Sequence, residues 1–133
     1  MATILIVDDH ILNRQFLTAL LGFDHHELLV AIDGAEGLAI ARAQRPALII
    51  TDILMPNMNG FEFIRRMRAE AGIADIPVIF YTSSYSTREA GKMARACGVR
   101  WVLRKPSAPD LILQTVHEAL GMPAAEPGPA SAP

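Results

Sequence analysis

The 133-residue sequence has little of several features that mark other classes of protein. It has a single cysteine, Cys97, which excludes an internal disulfide and favours a reducing compartment. No apolar run approaches the roughly 20 residues that span a bilayer, and no signal-peptide pattern opens the chain. We therefore expect no membrane segment and a cytoplasmic location.

An excess of charge of one sign is also missing. The formal net charge is −2 at pH 7, which gives no electrostatic reason to expect binding to nucleic acid. Hydrophobic residues make up 51% of the chain and charged residues 20%, so general disorder is excluded. Only residues 122–133, rich in proline and alanine, predict a disordered tail or linker, which leaves one domain over residues 1–121.

What the sequence does contain is an alternation of strand and helix patterns. Short aliphatic runs predict strands, and apolar residues three or four apart predict helices. The predicted strands are 3–7, 27–31, 48–52, 76–82 and 100–104, with helices after each of them. The alternation predicts an α/β fold of type (βα)5, a doubly wound parallel sheet with helices on both faces.

The helical spacing also predicts which side chains face the core. In the last helix we expect an inward set of Leu111, Ile112, Val116, Ala119 and Leu120. After Gly60 the apolar face is Phe61, Ile64 and Met67, with Arg65, Arg66 and Arg68 outside it. Cys97 falls on the inner stripe of the fourth helix and is expected to be a small core residue.

Polar residues stand where the predicted strands end. Asp8 and Asp9 follow the first strand, Asp52 the third, Thr82 the fourth and Lys105 the fifth. Right-handed crossovers keep the strands parallel, so these ends lie at one edge of the sheet. If the strand order is 2-1-3-4-5, a crevice opens between strands 1 and 3, where the winding reverses. Three carboxylates, a hydroxyl and an ammonium group are then predicted to converge.

That set of groups suits one kind of chemistry. Three neighbouring carboxylates repel one another unless a cation neutralises them, and oxygen ligands favour Mg²⁺. A carboxylate beside Mg²⁺ can attack phosphorus and form an aspartyl phosphate. Lys105 and the Thr82 hydroxyl can stabilise charge on the phosphoryl oxygens. Each residue alone has an ordinary structural explanation as a cap, a strand end or a solvated lysine.

The same residues carry a resemblance to a known family over residues 1 to about 121. The chain resembles the receiver domain of two-component response regulators in Ile6-Val7-Asp8-Asp9, Asp52, Met55-Pro56, Gly60, Thr82 and Lys105-Pro106. The resemblance implies a flavodoxin-like fold with strand order 2-1-3-4-5. It also implies a Lys105–Pro106 peptide bond in the cis form.

The resemblance further implies a role for each site residue. Asp52 accepts a phosphoryl group from a phosphohistidine donor, on a histidine kinase or a histidine phosphotransfer protein. Lys105 pairs with the phosphoryl group and Thr82 donates a hydrogen bond to it. The chain is then a phosphoacceptor that assists its own phosphotransfer and dephosphorylation, and not an enzyme in the usual sense.

The implied cofactor is Mg²⁺, bound by Asp9, Asp52 and the backbone carbonyl of Leu54, with Asp8 acting through water. The implied output is protein–protein contact with an unknown downstream protein, over the face of helix 4, strand 5 and helix 5. No DNA-binding output domain is expected in this chain, and a homodimer formed on phosphorylation stays open. The basic residues that could face an acidic partner are Arg88, Lys92, Arg95, Arg100 and Arg104.

The chain departs from the family pattern at three positions. The residue three before the lysine is usually Tyr or Phe, and here it is Val102. The neighbouring Trp101 is predicted to point to the opposite face of the sheet. We therefore expect phosphorylation to act through movement of the loop 83–86. Leu54 and Ser84 occupy positions that tune hydrolysis of the acyl phosphate, so we expect an altered lifetime, without specifying its sign.

Three other functions compete with this hypothesis. A flavin- or nucleotide-binding module on the same fold would need a Gly-rich loop after strand 1, which the sequence lacks. An Mg²⁺ phosphohydrolase would need a second aspartate where Leu54 stands. A degenerate receiver that only binds would not need the acidic pocket and Lys105. The four histidines are expected to be solvated or capping residues: His10, His25, His26 and His117.

Overall fold

The computed structural model describes residues 2–121, in which five strands alternate with five helices. They are β1 Thr3–Val7, α1 Ile11–Phe23, β2 Glu27–Ala31, α2 Gly34–Gln44, β3 Leu48–Thr51, α3 Gly60–Arg68, β4 Val78–Thr82, α4 Thr87–Ala96, β5 Trp101–Arg104 and α5 Pro109–Ala119. The prediction for residues 122–133 lies outside the described residues. No helix within residues 2–121 is both long and apolar enough to cross a membrane.

The strands form one parallel sheet in the order β2-β1-β3-β4-β5, which confirms the predicted fold class. β1 pairs with β2 on one side and with β3 on the other, so Ile6 lies opposite both Val30 and Ile50. All four residues of β3 are buried, because helices cover the strand on both faces of the sheet. The winding reverses between β1 and β3, and their carboxyl ends therefore border the crevice of a doubly wound sheet.

Alternation along the strands divides the core into two clusters, one on each face of the sheet. The larger cluster contains Phe63 and Phe80 and lies under α2, α3 and α4, while the smaller contains Leu17 and Val116 and lies under α1 and α5. Val102 packs against the larger cluster and Trp101 against the smaller. The two residues face opposite sides of the sheet, as the period of two predicts.

Three helices begin with side chains that satisfy free backbone N–H groups. Asp33 accepts a hydrogen bond from Glu36 N at the start of α2, and Asn59 accepts one from Glu62 N at the start of α3. Ser86 and Glu89 form a reciprocal capping box at the start of α4. These caps fix the places where the loops end and the helices begin.

One prediction about the helix faces is wrong, and one long side chain reaches further than its helix face suggests. Leu111 is 46% exposed, because the buried stripe of α5 includes Thr115 and Leu111 lies one step outside it. Arg68 lies outside the apolar face, as predicted, but its charged end is bound to backbone carbonyl groups. Its Nη1 donates to the carbonyl oxygens of Ala74 at 2.8 Å and Ile76 at 2.7 Å, since its long stem lets the charged end reach the chain before β4.

Cys97 is a buried free thiol, as expected of a core residue. It is part of the larger cluster, and its Sγ donates to the Met93 carbonyl oxygen at 3.2 Å. Burial raises the pKa of the Cys97 thiol, although the positive charge of Arg68 opposes this. A thiol with a raised pKa is a poor nucleophile at neutral pH.

Candidate functional site

The ends of three strands meet at one lysine. Lys105 Nζ lies 2.7 Å from Asp8 Oδ2 and 2.8 Å from Asp52 Oδ2. The side chains of Asp8 and Asp52 are 3% and 4% exposed, and that of Lys105 is 10% exposed. The structure thus brings together residues that follow β1, β3 and β5, which is the convergence that the strand ends predict.

Backbone hydrogen bonds fix both carboxylates in position. Asp52 N donates to the Val7 carbonyl oxygen at 3.0 Å, so β1 and β3 stay in register up to the aspartate. Asp52 Oδ1 accepts a hydrogen bond from Ile53 N at 2.7 Å, and Asp8 Oδ1 accepts one from His10 N at 2.9 Å. Since each carboxylate uses Oδ1 for the loop backbone, Oδ2 is left to face the lysine.

The two carboxylate partners of Lys105 favour its charged form. Burial alone would lower the pKa of Lys105, but the hydrogen bonds and charges of Asp52 and Asp8 raise it overall. Lys105 N also donates to the Thr82 carbonyl oxygen at 3.0 Å, which ties the loop after β5 to the end of β4. The Lys105–Pro106 peptide bond is cis, as the resemblance implies.

The carboxylates outnumber the lysine, and one of their oxygens is unpartnered. Asp9 Oδ1 is buried and has no hydrogen-bond partner among the residues that the structure describes. Asp8, Asp9, His10 and Asp52 each offer a donor atom, and all four atoms lie within 4.8 Å of one another. Oxygen donors with surplus negative charge and a free lone pair fit a hard cation such as Mg²⁺.

His10 was not expected beside these carboxylates. Its side chain is 68% exposed, and its Nδ1 lies 3.4 Å from Asp9 Oδ1 and 3.5 Å from Asp8 Oδ1. His10 is the residue before α1, but its side chain makes no capping hydrogen bond. Its position directly after two aspartates was the only signal in the sequence for this placement.

Thr82 ends β4 and Leu54 lies in the loop after β3, as predicted, but Thr82 is buried and Leu54 is exposed. Thr82 is fully buried, and its Oγ1 accepts a hydrogen bond from Ser84 N at 3.2 Å. A cavity of about 390 Å³ opens over the site, and its lining residues do not include Thr82. They are His10, Asn13, Asp52, Ser83, Ser84, Lys105 and Pro106. The Leu54 side chain is 54% exposed, and the role of its carbonyl as a metal ligand stays a prediction.

We expect Asp9→Asn to raise the free energy of unfolding by about 1 kcal/mol when divalent cations are chelated. The amide keeps the shape of the side chain and removes a negative charge from an overcharged cluster. The same change should abolish most of the Mg²⁺-dependent rise in Tm of the wild type. Thermal unfolding with chelator and with Mg²⁺ measures both effects, and the exposed Asp75→Asn is the control. A loss of stability in chelator would contradict the repulsion between these carboxylates.

Comparison with known proteins agrees with this geometry. The family model described as "Response regulator receiver domain" matches residues 4–117. Protein PilH of Pseudomonas aeruginosa is 37% identical over 121 residues, which cover 90% of this chain and 98% of PilH. The sensor protein EvgS of Escherichia coli is 37% identical over 122 residues, which cover 87% of this chain and only 10% of EvgS.

Solved structures show the same fold. Chemotaxis protein CheY4 of Vibrio cholerae superposes with a TM-score of 0.83 at 35% identity, covering 90% of this chain and 98% of CheY4. A CheY-like receiver domain protein of Methanospirillum hungatei has a TM-score of 0.83 at 26% identity, covering 91% of this chain and 94% of its own. The chain therefore belongs to the response regulator receiver domain family of two-component signalling.

Proposed function

We propose that this receiver domain is a phosphorylation-dependent switch that accepts a phosphoryl group on Asp52. The observation that carries the proposal is the position of Asp52: one carboxylate oxygen faces the ammonium group of Lys105, beside two further aspartates and under an open cavity. The donor is a phosphohistidine on a histidine kinase or a histidine phosphotransfer protein. Matching segments in the sensor protein EvgS and the sensor histidine kinase RcsC of Escherichia coli support that pairing.

The transfer exchanges one bond to phosphorus for another. An oxygen of Asp52 attacks phosphorus, a P–O bond forms, and the P–N bond to the donor histidine breaks. The electron pair of the P–N bond stays on the donor imidazole, which leaves as a neutral ring because its other nitrogen carries a proton. The protein's contribution is to position the attacking oxygen and to stabilise charge on the equatorial oxygens.

The acidic residues fit an Mg²⁺ ion, which would lie against Asp9, Asp52 and the Leu54 carbonyl, with Asp8 acting through water. Its chemistry when bound is to offset the repulsion between the anionic nucleophile and the phosphoryl group. Asp9 Oδ1 is the buried oxygen without a partner within residues 2–121, and so it is the ligand most in need of a cation. Asp52 and Asp8 already share Lys105.

Lys105 and Thr82 stabilise the phosphoryl group once it is in place. Lys105 Nζ now bridges Asp8 and Asp52, and a phosphoryl group on Asp52 offers it oxygens of higher charge at the same position. The Thr82 oxygen accepts a hydrogen bond from Ser84 N, which leaves its own proton free to be donated. A move of Thr82 towards the phosphoryl group would therefore break or shift its link to Ser84.

That link makes the loop 83–86 the element that senses phosphorylation. The loop is tied to Thr82 through Ser84 N, and its Tyr85 is half-buried against the larger cluster. Val102 has no ring to swing into space that Thr82 vacates. Structures with and without a phosphoryl mimic test this step: a loop that keeps its conformation in both, while another aromatic ring turns, would overturn it.

The output is protein–protein contact over α4, β5 and α5. Five basic side chains on α4, on β5 and directly before β5 are exposed, and they suit a downstream partner with acidic side chains: Arg88, Lys92, Arg95, Arg100 and Arg104. Two of them are held in place, since Arg104 Nη1 donates to Thr87 Oγ1 at 3.2 Å and the Arg100 guanidinium lies 5.0 Å from the centre of the Trp101 ring.

The decisive experiment is incubation with Mg²⁺ and a small acyl phosphate, comparing wild type with Asp52→Ala. We expect an alkali-labile phosphoprotein in the wild type and none in the variant or with chelator. Asp75→Ala, a change at an exposed aspartate away from the site, should be phosphorylated like the wild type. Continuous release of phosphate without an accumulated phosphoprotein would instead favour a phosphohydrolase, and neither phosphoprotein nor released phosphate would leave a receiver that only binds.

A further inference from the structure

A second cluster of metal-ligating side chains lies where α1 ends, β2 begins and α5 passes. Asp24 follows α1, His26 precedes β2, and His117 lies in the last turn of α5. Asp24 Oδ2 is 2.8 Å from His117 Nε2 and 3.2 Å from His26 Nε2. The three donor atoms all lie within 4.8 Å of one another. The prediction that these histidines are merely solvated or capping residues is wrong, because the fold gathers two of them on one carboxylate.

A hydrogen bond to Asp24 accounts for His117 but not for His26. The His26 side chain is 1% exposed, and in the described part of the chain its Nε2 has no well-directed hydrogen-bond partner. A buried polar atom without a partner is unfavourable and calls for an explanation. This one faces the same carboxylate oxygen that His117 contacts, so the cluster holds a nitrogen that can bind a metal ion once its proton moves to Nδ1.

We propose that Asp24, His26 and His117 form a binding site for a transition-metal ion, with Zn²⁺ as the best match. Two imidazole nitrogens and a carboxylate oxygen are donors that zinc prefers and that differ from the all-oxygen set expected of Mg²⁺. Tetrahedral bonds of about 2.0 Å place neighbouring donors about 3.3 Å apart. The distance from His26 Nε2 to Asp24 Oδ2, 3.2 Å, is already close to that value, and the 2.8 Å from His117 Nε2 would lengthen on binding. Three protein ligands leave the fourth position to water.

Binding requires a change at the His26 ring. Its Nδ1 accepts a hydrogen bond from the backbone N of Ala2 at 3.2 Å, which places the proton of the neutral ring on Nε2. When the metal takes Nε2, the ring proton moves to Nδ1 and the contact with Ala2 is lost. One long hydrogen bond is thus exchanged for a metal–nitrogen bond.

Asp24 is prepared for a cation. Burial alone would raise the pKa of Asp24, but the hydrogen bond of His117 and the charges of the two histidines lower it overall, so the carboxylate is ionised at neutral pH. A bound ion would join α5 to the connection between α1 and β2. Because α5 belongs to the proposed output face, the ion would make this helix more rigid.

The test is a titration with Zn²⁺ or Co²⁺ of protein that carries Asp9→Asn and Asp52→Asn, so that the acidic site no longer competes. We expect one equivalent of Zn²⁺ to bind by calorimetry, and Co²⁺ to give the intense visible bands of a tetrahedral site. His117→Gln and Asp24→Asn, each added separately, should weaken binding at least tenfold. The control is His25→Asn, because His25 is exposed, lies outside the cluster, and has a φ of 66° that asparagine tolerates.

Circular dichroism checks that each variant is folded, and the two ligand variants give independent tests if one of them is not. The proposal is overturned if the Asp9→Asn, Asp52→Asn protein binds no Zn²⁺. It is equally overturned if binding survives both ligand changes or is lost in His25→Asn. None of these readouts uses phosphoryl transfer, so the result stands apart from the proposed function.

Discussion

Lys105→Met is expected to lower the free energy of unfolding by about 3 kcal/mol at neutral pH in the presence of chelator. Methionine fills much of the same volume, so the change removes a charge and little packing. It leaves the carboxylates of Asp8 and Asp52, which are almost fully buried, without their shared cation. Removing one partner from a buried ion pair is costly because the remaining charge has lost both water and its counter-ion.

The same variant should regain stability when Mg²⁺ is added, by a larger increment than the wild type. Without the lysine, the acidic cluster has more uncompensated charge and therefore binds a divalent cation more tightly. Denaturant unfolding with chelator and with Mg²⁺ measures the two increments. Lys92→Met, at an exposed position on α4, is the matched control and should change stability by less than about 0.5 kcal/mol in either condition.

Alkaline pH provides a second measurement of the same ion pairs. The pKa of Lys105 is raised above its ordinary value of 10.5, so the protonated lysine is favoured in the folded state. Its stabilising contribution is fully present below pH 10.5 and is lost as the pH rises through the higher folded-state value. The gap in stability between wild type and Lys105→Met should therefore shrink above pH 10.5. A constant gap would show that the loss comes from packing.

Much of the fold could be predicted because its strands are short, nearly continuous runs of aliphatic residues. The run Leu48-Ile49-Ile50 is typical of a strand covered on both faces, and it is fully buried in β3. The residues that follow parallel strands lie at one edge of the sheet whatever the lengths of the helices and loops between them. Asp8, Asp52 and Lys105 could therefore be placed together from the sequence. The chemistry proposed for that edge was then inferred from residue type.

The rest depended on contacts that no local pattern records. His117 and Asp24 are 93 residues apart, and only the packing of α5 beside the end of α1 brings them together. Arg68 was predicted to lie outside the apolar face of α3, and it does, but its guanidinium reaches carbonyl groups beyond its own helix. Periodicity predicts which face of a helix is buried, and it does not predict how far a long side chain reaches.

The hydrogen bond from Ser84 N to Thr82 Oγ1 was also beyond prediction, and it bears on signalling. The sequence showed that Val102 replaces the usual aromatic ring, which argued against the common route of coupling. The structure supplies the alternative contact, a direct link between the buried hydroxyl and the loop 83–86. This hydrogen bond therefore supports coupling through the loop 83–86, which the sequence alone could suggest but not explain.

Gly60→Ala is expected to destabilise the protein by about 3 kcal/mol or more, because β3 and α3 approach each other too closely for a methyl group. A Cβ atom at Gly60 would collide with the carbonyl oxygen of Asp52 and lie 3.0 Å from Ile53 Cα. Both obstacles are backbone atoms, so no side chain can rotate out of the way. The approach is held by the hydrogen bond from Gly60 N to the Ile53 carbonyl oxygen at 2.7 Å.

The effect should reach the proposed phosphorylation site, since the residue that must move is Asp52 itself. We expect Gly60→Ala to slow phosphorylation by acyl phosphate even at a temperature where the variant is folded. Gly22→Ala is the matched control: the nearest atom to its Cβ is Leu28 Cδ2 at 4.0 Å, and alanine near the end of α1 should raise stability by about 0.5 kcal/mol. Denaturant unfolding of both variants measures these changes in the free energy of unfolding. Equal denaturation midpoints for Gly60→Ala and wild type would mean that the backbone after Asp52 can shift at little cost. The close contact with Gly60 would then not be what holds the proposed nucleophile, Asp52, in position.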